Sequence, residues 1–316
     1  MRAAGSADVR HAARRPTPAS SAAVSADAPV VNAITVDVED YFQVSAFDRT
    51  VSRASWDSFA SRVVPNTQRV LELFDRAGVR ATFFVLGWVA DRYPALVREI
   101  ARAGHEVASH GYHHQLLYML TPDQFRDDVR SAKVAIESAL GQPVLGFRAP
   151  SYSIIDSTLW TFDILIEEGY VYDASIFPIR HDRYGIPDAP RHVHLIERAA
   201  GSLLEFPGST VRVAGVNLPI AGGGYFRLLP YQWTRWGIRH VNETEREPVV
   251  FYFHPWEIDP DQPRMRAGAA TRLRHYSGLA KTAGRLERLL RDFRFDSASA
   301  VLHLEAEASP RAVVAV

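Results

Sequence analysis

The sequence predicts an α/β fold, a single wound or barrel-like domain of parallel βαβ units, and three observations carry that reading. Short β-branched apolar runs alternate with amphipathic segments at a pitch of roughly 30 residues, the pattern of strand, crossover helix and next parallel strand. The amphipathic segments stop repeatedly at glycine, at Gly78, Gly104 and Gly141. No internal repeat appears beyond this alternation, and 316 residues suffice for one large barrel-like domain with a real core.

Ala33 to Val38 reads as a buried strand that ends in the acids Asp37, Glu39 and Asp40. Pro65 to Ala77 is a helix, with Val70, Leu71, Leu73 and Phe74 at helical spacing, and Ala81 to Leu86 is the next strand. Pro94 to Ala103 is a second helix, and His105 to Ser109 a strand that delivers His110. Thr121 and Pro122 open a helix to Leu140, with Thr as N-cap and Pro at the first helical position. Val144 to Phe147 is a strand followed at once by Arg148, Ala149, Pro150, Ser151 and Tyr152. A helix from Asp156 to Glu168 and a short strand from Tyr170 to Tyr172 come next. From about Arg180 to Gly224 regularity gives way to Pro, Gly and short β-like pieces such as Leu203 to Phe206, ending in the run Gly222 to Gly224. A helix from Tyr231 to about Asn242, a strand from Val249 to Phe253, one basic helix from about Ala269 to Arg291 and a strand-like run at Phe293 to Phe295 complete the reading.

Composition limits the partners. Lys plus Arg and Asp plus Glu are 36 each, so no global field draws the chain to nucleic acid or an anionic bilayer. The absence of cysteine excludes disulfides, thiolate metal sites and a Cys nucleophile, leaving N and O donors for any metal. Residues 1–30 and 305–316 read as unstructured tails around a domain at 31–304. No secretory signal or transmembrane run is legible, which points to a soluble protein, cytoplasmic or peripheral to a membrane.

Four polar clusters fall at or just after strand ends: Asp37 to Asp40, His110 to His114, Arg148 to Tyr152, and His254 to Glu257. In parallel barrels the strand ends converge on one face, where the active site lies. His110 and His114, with His113 as a spare, have the spacing that one helical turn would place on one face. Two imidazoles and a carboxylate make a site for one divalent metal with open positions. A second carboxylate can serve as base toward metal-activated water, a separate histidine can protonate a leaving group, and an arginine can hold the base. The set describes metal-assisted hydrolysis of an acyl or amide bond.

These residues resemble the polysaccharide deacetylases of carbohydrate esterase family 4, the nodulation-protein-B-like domain, over about residues 32 to 300. The resemblance implies a distorted (β/α) barrel, TIM-like with about seven strands, and removal of N- or O-acetyl groups with one divalent metal, zinc first, with cobalt, nickel or manganese as alternatives. The family's Thr-Phe-Asp-Asp motif corresponds to Thr35-Val36-Asp37-Val38-Glu39-Asp40, and implies Asp37 as base and Glu39 as metal ligand, with Asp40 the competitor. Side chains alternate along an extended chain, so Glu39 shares a side with Asp37 and Asp40 does not. The His-Ser/Thr-x-x-His motif falls on His110 and His114, with Gly111 in place of Ser/Thr and His113 a bystander.

The Arg-x-Pro-x-Tyr motif is intact as Arg148, Pro150 and Tyr152. It implies that Arg148 orients the base and that the Tyr152 backbone N–H polarises the acetyl carbonyl. His254 is the implied general acid, and Asp173 stands where the family has a polar wall residue. The catalytic motifs then span 35–260, with a C-terminal extension at about 205–304. That extension, with Gly222 to Arg227 and His254 to Pro260, is similar to the deacetylases of exosortase-associated exopolysaccharide loci, implying an acetylated amino-sugar polysaccharide or its lipid-linked precursor as partner. Tyr225, Trp233 and Trp256 are candidate exposed platforms for sugar rings. An allantoinase-like small-amide hydrolase and a non-catalytic carbohydrate-binding domain are the competing readings.

Overall fold

Strand β1 (Val31–Val38) is the hub of the computed structural model, which describes residues 29–304. The expected tails lie outside the described residues, apart from Pro29 and Val30. In chain order the elements are β1, α1 (Val63–Ala77), β2 (Thr82–Val85), α2 (Gly87–Arg92), α3 (Pro94–Arg102), β3 (Glu106–Ser109), α4 (Pro122–Leu140), β4 (Gly146–Phe147), α5 (Thr161–Glu167) and β5 (Tyr172–Asp173). They continue with β6 (His194–Arg198), β7 (Gly201–Glu205), β8 (Thr210–Val213), β9 (Val216–Pro219), α6 (Gly223–Leu228), α7 (Tyr231–His240) and β10 (Val250–Phe253). The last are α8 (Ala269–Tyr276), α9 (Leu279–Asp292), β11 (Arg294–Asp296) and α10 (Ala298–Val301).

The fold is α/β with a mostly parallel nine-stranded sheet, ordered β10-β1-β2-β3-β4-β5-β7-β6, with β11 also paired to β1. Only β6 runs against its neighbour β7, while β8 and β9 form a separate antiparallel pair. Among the described residues no strand pairing joins β10 to β6. Instead the Val250 N–H on β10 donates to Ser209 Oγ at 2.8 Å. No described helix is long and apolar enough to cross a membrane.

Both faces of β1 are buried, as a parallel strand covered on both sides requires. Ile34, Val36 and Val38 pack in one cluster with Val70 and Phe74 of α1. Ala33 packs on the opposite face with Phe84, Tyr172 and Val250, and Thr35 and Asp37 share that face by alternation. The register Val38, Val85, Ser109, Phe147, Asp173 aligns the C-terminal ends of β1 to β5. Each polar cluster read from the sequence therefore emerges at the same edge.

Several elements differ from the reading. The helix-capping prediction for α4 matches a full capping box, Thr121 with Gln124, closed by Gly141. The irregular stretch after Arg180 contains two hairpins, β6/β7 and β8/β9, whose strands carry no apolar run longer than two residues. The single basic helix is two, α8 and α9, and the short α2 was not anticipated.

Candidate metal centre and active site

Glu39, immediately past β1, meets His110 and His114 after β3, with one donor atom from each within 4.8 Å of the others. All three are buried. The two histidines are not on a helical turn as their spacing suggested; they lie on a loop. Gly111 has φ 72°, and a Cβ there would lie 2.9 Å from Asp128 Oδ2. Asp128, from α4, accepts the backbone N–H groups of Tyr112 at 2.9 Å and His113 at 3.1 Å. Arg53 donates to the carbonyls of His113 and His114, and His114 itself adopts φ 52°. The loop is thus held from both sides in a bend that carries His114 back over His110.

Glu39 Oε2 lies 2.6 Å from His114 Nε2 and, though buried, has no hydrogen-bond partner. His110 Nδ1 donates to the Arg148 carbonyl at 2.8 Å, leaving the Nε2 lone pair available. Burial lowers the His110 pKa to about 4, which keeps the ring in its neutral, ligating form. Burial alone would raise the Glu39 carboxyl, but the surrounding imidazoles of His114, His254 and His110 hold it well below the usual range. An orphaned carboxylate oxygen and two imidazoles, with no thiolate, fit a divalent cation. Asp40 turns away: its carboxylate accepts from Tyr41 N–H, Ser61 Oγ, and the N–H groups of Arg62 and Val63 where α1 begins.

Beside this group, Arg148 is completely buried and lies over the Phe84 ring, 4.2 Å from its centroid. It donates to Asp37 Oδ1 at 2.8 Å, Thr35 Oγ1 at 2.7 Å and the Ala174 carbonyl at 3.0 Å. Asp37 Oδ2 faces His254 Nε2 at 3.8 Å, and the same nitrogen lies 3.6 Å from Glu39 Oε1. His254 Nδ1 is 3.1 Å from Glu257 Oε1. Burial works against the imidazolium, but Glu39, Glu257 and Asp37 outweigh it and push its pKa up to about 9.

Three expected roles meet different geometry. Trp256 is only 3% exposed and is no open platform, because its indole is enclosed by neighbouring rings. Asp173 is fully buried rather than a wall: it accepts from Ser175 N–H and Oγ, and Ser175 Oγ in turn accepts the Ala149 N–H at 2.7 Å. The Tyr152 N–H is occupied by the Ala149 carbonyl at 3.1 Å, in a turn with Ser151 and Tyr152 both at positive φ. Tyr225 is half-buried, its hydroxyl 3.0 Å from that of Tyr184, and Trp233 donates to the Pro219 carbonyl. Thr35, Asp128, Ser175 and the contact from Trp256 to Glu39 escape the sequence reading. Only Thr35 carries a local signal, two residues before Asp37 on the same strand face.

Fold and site together define an α/β protein with a candidate divalent-metal centre at the C-terminal edge of its parallel strands. Residues 48–164 match the polysaccharide deacetylase family model, and residues 174–303 match a domain of unknown function, DUF3473. Over residues 48–164 the chain is similar to the polysaccharide deacetylase family. It is 34% identical over 120 residues to a peptidoglycan deacetylase-like protein of Gibberella zeae, covering 37% of this chain and 34% of that one. It is 36% identical over 99 residues to a chitooligosaccharide deacetylase of Bradyrhizobium sp., covering 31% and 43%. The chain thus spans well under half the length of these relatives. A solved structure from Mycobacterium smegmatis that carries the polysaccharide deacetylase name shares the fold, with TM-score 0.56, 23% identity and coverage of 93% and 97%. PuuE allantoinase does so with TM-score 0.59, 13% identity and coverage of 89% and 91%.

Proposed function

We propose that the chain is a metal-dependent hydrolase that removes acetyl groups from an N- or O-acetylated polysaccharide. The observation that carries this reading is the convergence of Glu39, His110 and His114 with the Arg148-held Asp37 and with His254 at one sheet edge. Glu39, His110 and His114 would hold the ion, with zinc the first choice for two imidazoles and a carboxylate, and cobalt, nickel or manganese the alternatives. When bound, the metal supplies a Lewis acid that polarises the acetyl carbonyl and makes water acidic enough to attack near neutral pH.

Arg148 occupies Asp37 Oδ1, so Oδ2 is the oxygen free to take the proton of the attacking water. The water oxygen bonds to the acetyl carbon, the bond from that carbon to sugar nitrogen or oxygen breaks, and cationic His254 gives its proton to the leaving atom. Acetate and the free amine or hydroxyl result. Glu257 keeps the His254 ring aimed through Nδ1, leaving Nε2 toward the reacting atoms.

The names of the relatives, peptidoglycan and chitooligosaccharide deacetylases, support an acetylated amino-sugar substrate. The resemblance of Gly222 to Arg227 and His254 to Pro260 to exopolysaccharide-locus deacetylases makes an exopolysaccharide, or its lipid-linked precursor, the substrate we propose. We also read 31–304 as one domain, because β10 and β11 of the C-terminal extension both pair with β1. Tyr225, half-buried against the cluster of Tyr152, Phe177 and Tyr252, is the aromatic we retain as a sugar contact. Acetate release from a panel of acetylated glycans, with chelator and with added zinc, tests the reading. Release is expected on an amino-sugar polymer, abolished by chelator and by His110→Ala. Release that survives both would sink it.

A further inference from the structure

We propose that Trp256 is a positioning residue for the metal-binding carboxylate, its indole N–H selecting which oxygen of Glu39 faces the imidazoles. The inference rests on the metal reading of Glu39, His110 and His114 given above. A carboxylate has two equivalent oxygens, and a freely turning side chain presents either. Here Trp256 Nε1 donates to Glu39 Oε1 at 3.0 Å, and both groups are buried. That leaves Oε2 toward His114, 2.6 Å from Nε2. Indole is a donor only and uncharged, so it holds the carboxylate without competing electrostatically with a cation.

Everything around Trp256 restrains it. Its ring stacks with that of His254, at 5.1 Å and 20°, and with that of His275, at 4.3 Å and 17°. Its carbonyl accepts from Gln262 Nε2 at 2.7 Å. Because that amide nitrogen is spent on the carbonyls of Trp256 and Asp259, Gln262 Oε1 must accept from His275 Nε2, at 2.8 Å. Arg227 sits 5.3 Å from the ring centroid and ties down the carbonyls of Arg274, His275 and Ser277. A sugar platform needs an open face, and Trp256 is buried. Trp256 also lies two residues after His254 on the turn Pro255–Ile258. One rigid segment thus places both the proposed acid and the clamp on the metal ligand.

The test titrates the metal-free full chain with cobalt(II) and zinc(II) against a competing chelator. Trp256→Phe keeps a ring in the stack and removes the N–H. It is expected to weaken metal binding about 10- to 100-fold, as loss of an outer-shell partner does, and to alter the visible cobalt bands. In a Glu39→Asp background, whose shorter side chain cannot span both contacts, the same change should matter by no more than about twofold. In the wild type, the indole N–H resonance absent from Trp256→Phe should shift on zinc addition. Affinity of Trp256→Phe within about twofold of wild type overturns the inference, and so does an equal penalty in both backgrounds, which is a packing effect. Should Trp256→Phe not fold, the wild-type indole signals decide: none moving on zinc addition overturns it. Cobalt bound by His110→Ala as tightly as by wild type instead removes the metal centre, and the inference with it.

Discussion

Glu39 and Asp40 are adjacent in the chain and serve opposite sides of it. Asp40 stabilises the start of α1 by accepting backbone N–H groups that have no partner within the helix. Asp40→Asn is therefore expected to keep metal and to lose about 1–3 kcal/mol of stability in urea unfolding, the cost of weakened hydrogen bonds to a buried charge. Glu39→Gln should lose metal and keep the fold, and the opposite pattern would exchange their assignments. His254 is the other residue whose role divides cleanly by measurement. His254→Ala is expected to lower kcat/KM by about 10²–10⁴-fold, the usual worth of a general acid, with metal content unchanged by elemental analysis. Loss of metal in that variant would make His254 a ligand.

At the scale of elements, the break between α8 and α9 shows how a distant contact overrides a local pattern. A glycine inside a helix costs only about 1 kcal/mol, so Gly278 is compatible in sequence with either a stop or one continuous helix. In the fold Gly278 has φ 82°, and a Cβ there would stand 2.6 Å from the Arg227 carbonyl oxygen. Arg227 Nη1 donates to the carbonyls of Arg274, His275 and Ser277, holding the bend closed. Gly278→Ala should cost at least about 1–2 kcal/mol, the left-handed penalty for a residue with a Cβ, read from the shift of the urea midpoint. An unchanged midpoint would remove the argument. At α4, by contrast, the signal is local: Thr121 bonds to Gln124 three residues on, so the cap is legible in the sequence itself.

The whole molecule responds to acid through groups far from the site. His105 lies just before β3, buried, with Nδ1 accepting the Ala81 N–H at 3.1 Å, and burial lowers its pKa from 6.5 to about 4. The unfolded chain takes up this proton near 6.5 while the folded chain resists until about 4. Its contribution is thus complete above that upper value and is lost as pH falls through the window. The thermal midpoint should fall across that range, and less steeply in His105→Asn, whose amide oxygen can replace Nδ1 as acceptor. Identical pH slopes would exclude His105. In the sheet, β1 near the start of the described chain is joined by β10 and β11 from its far end as well as by β2. Neither family-model segment alone would complete the candidate site, because His110 and His114 lie in one and His254 in the other.

The sequence by itself determined the α/β class, the succession of strands along the chain as far as β5, the caps of α4 and the placing of polar clusters at strand ends. Each of these is written in nearest neighbours or in a period of two or 3.6 residues. Only the tertiary structure decided what those side chains touch. Trp256 reaches Glu39 across 217 positions and Arg148 reaches Asp37 across 111. Periodicity encodes which face is buried, and an aromatic at a strand end reads equally well as a sugar platform or as a clamp. A hydrogen bond depends on distances and angles of a few tenths of an ångström and a few tens of degrees, and those are set only when remote segments pack.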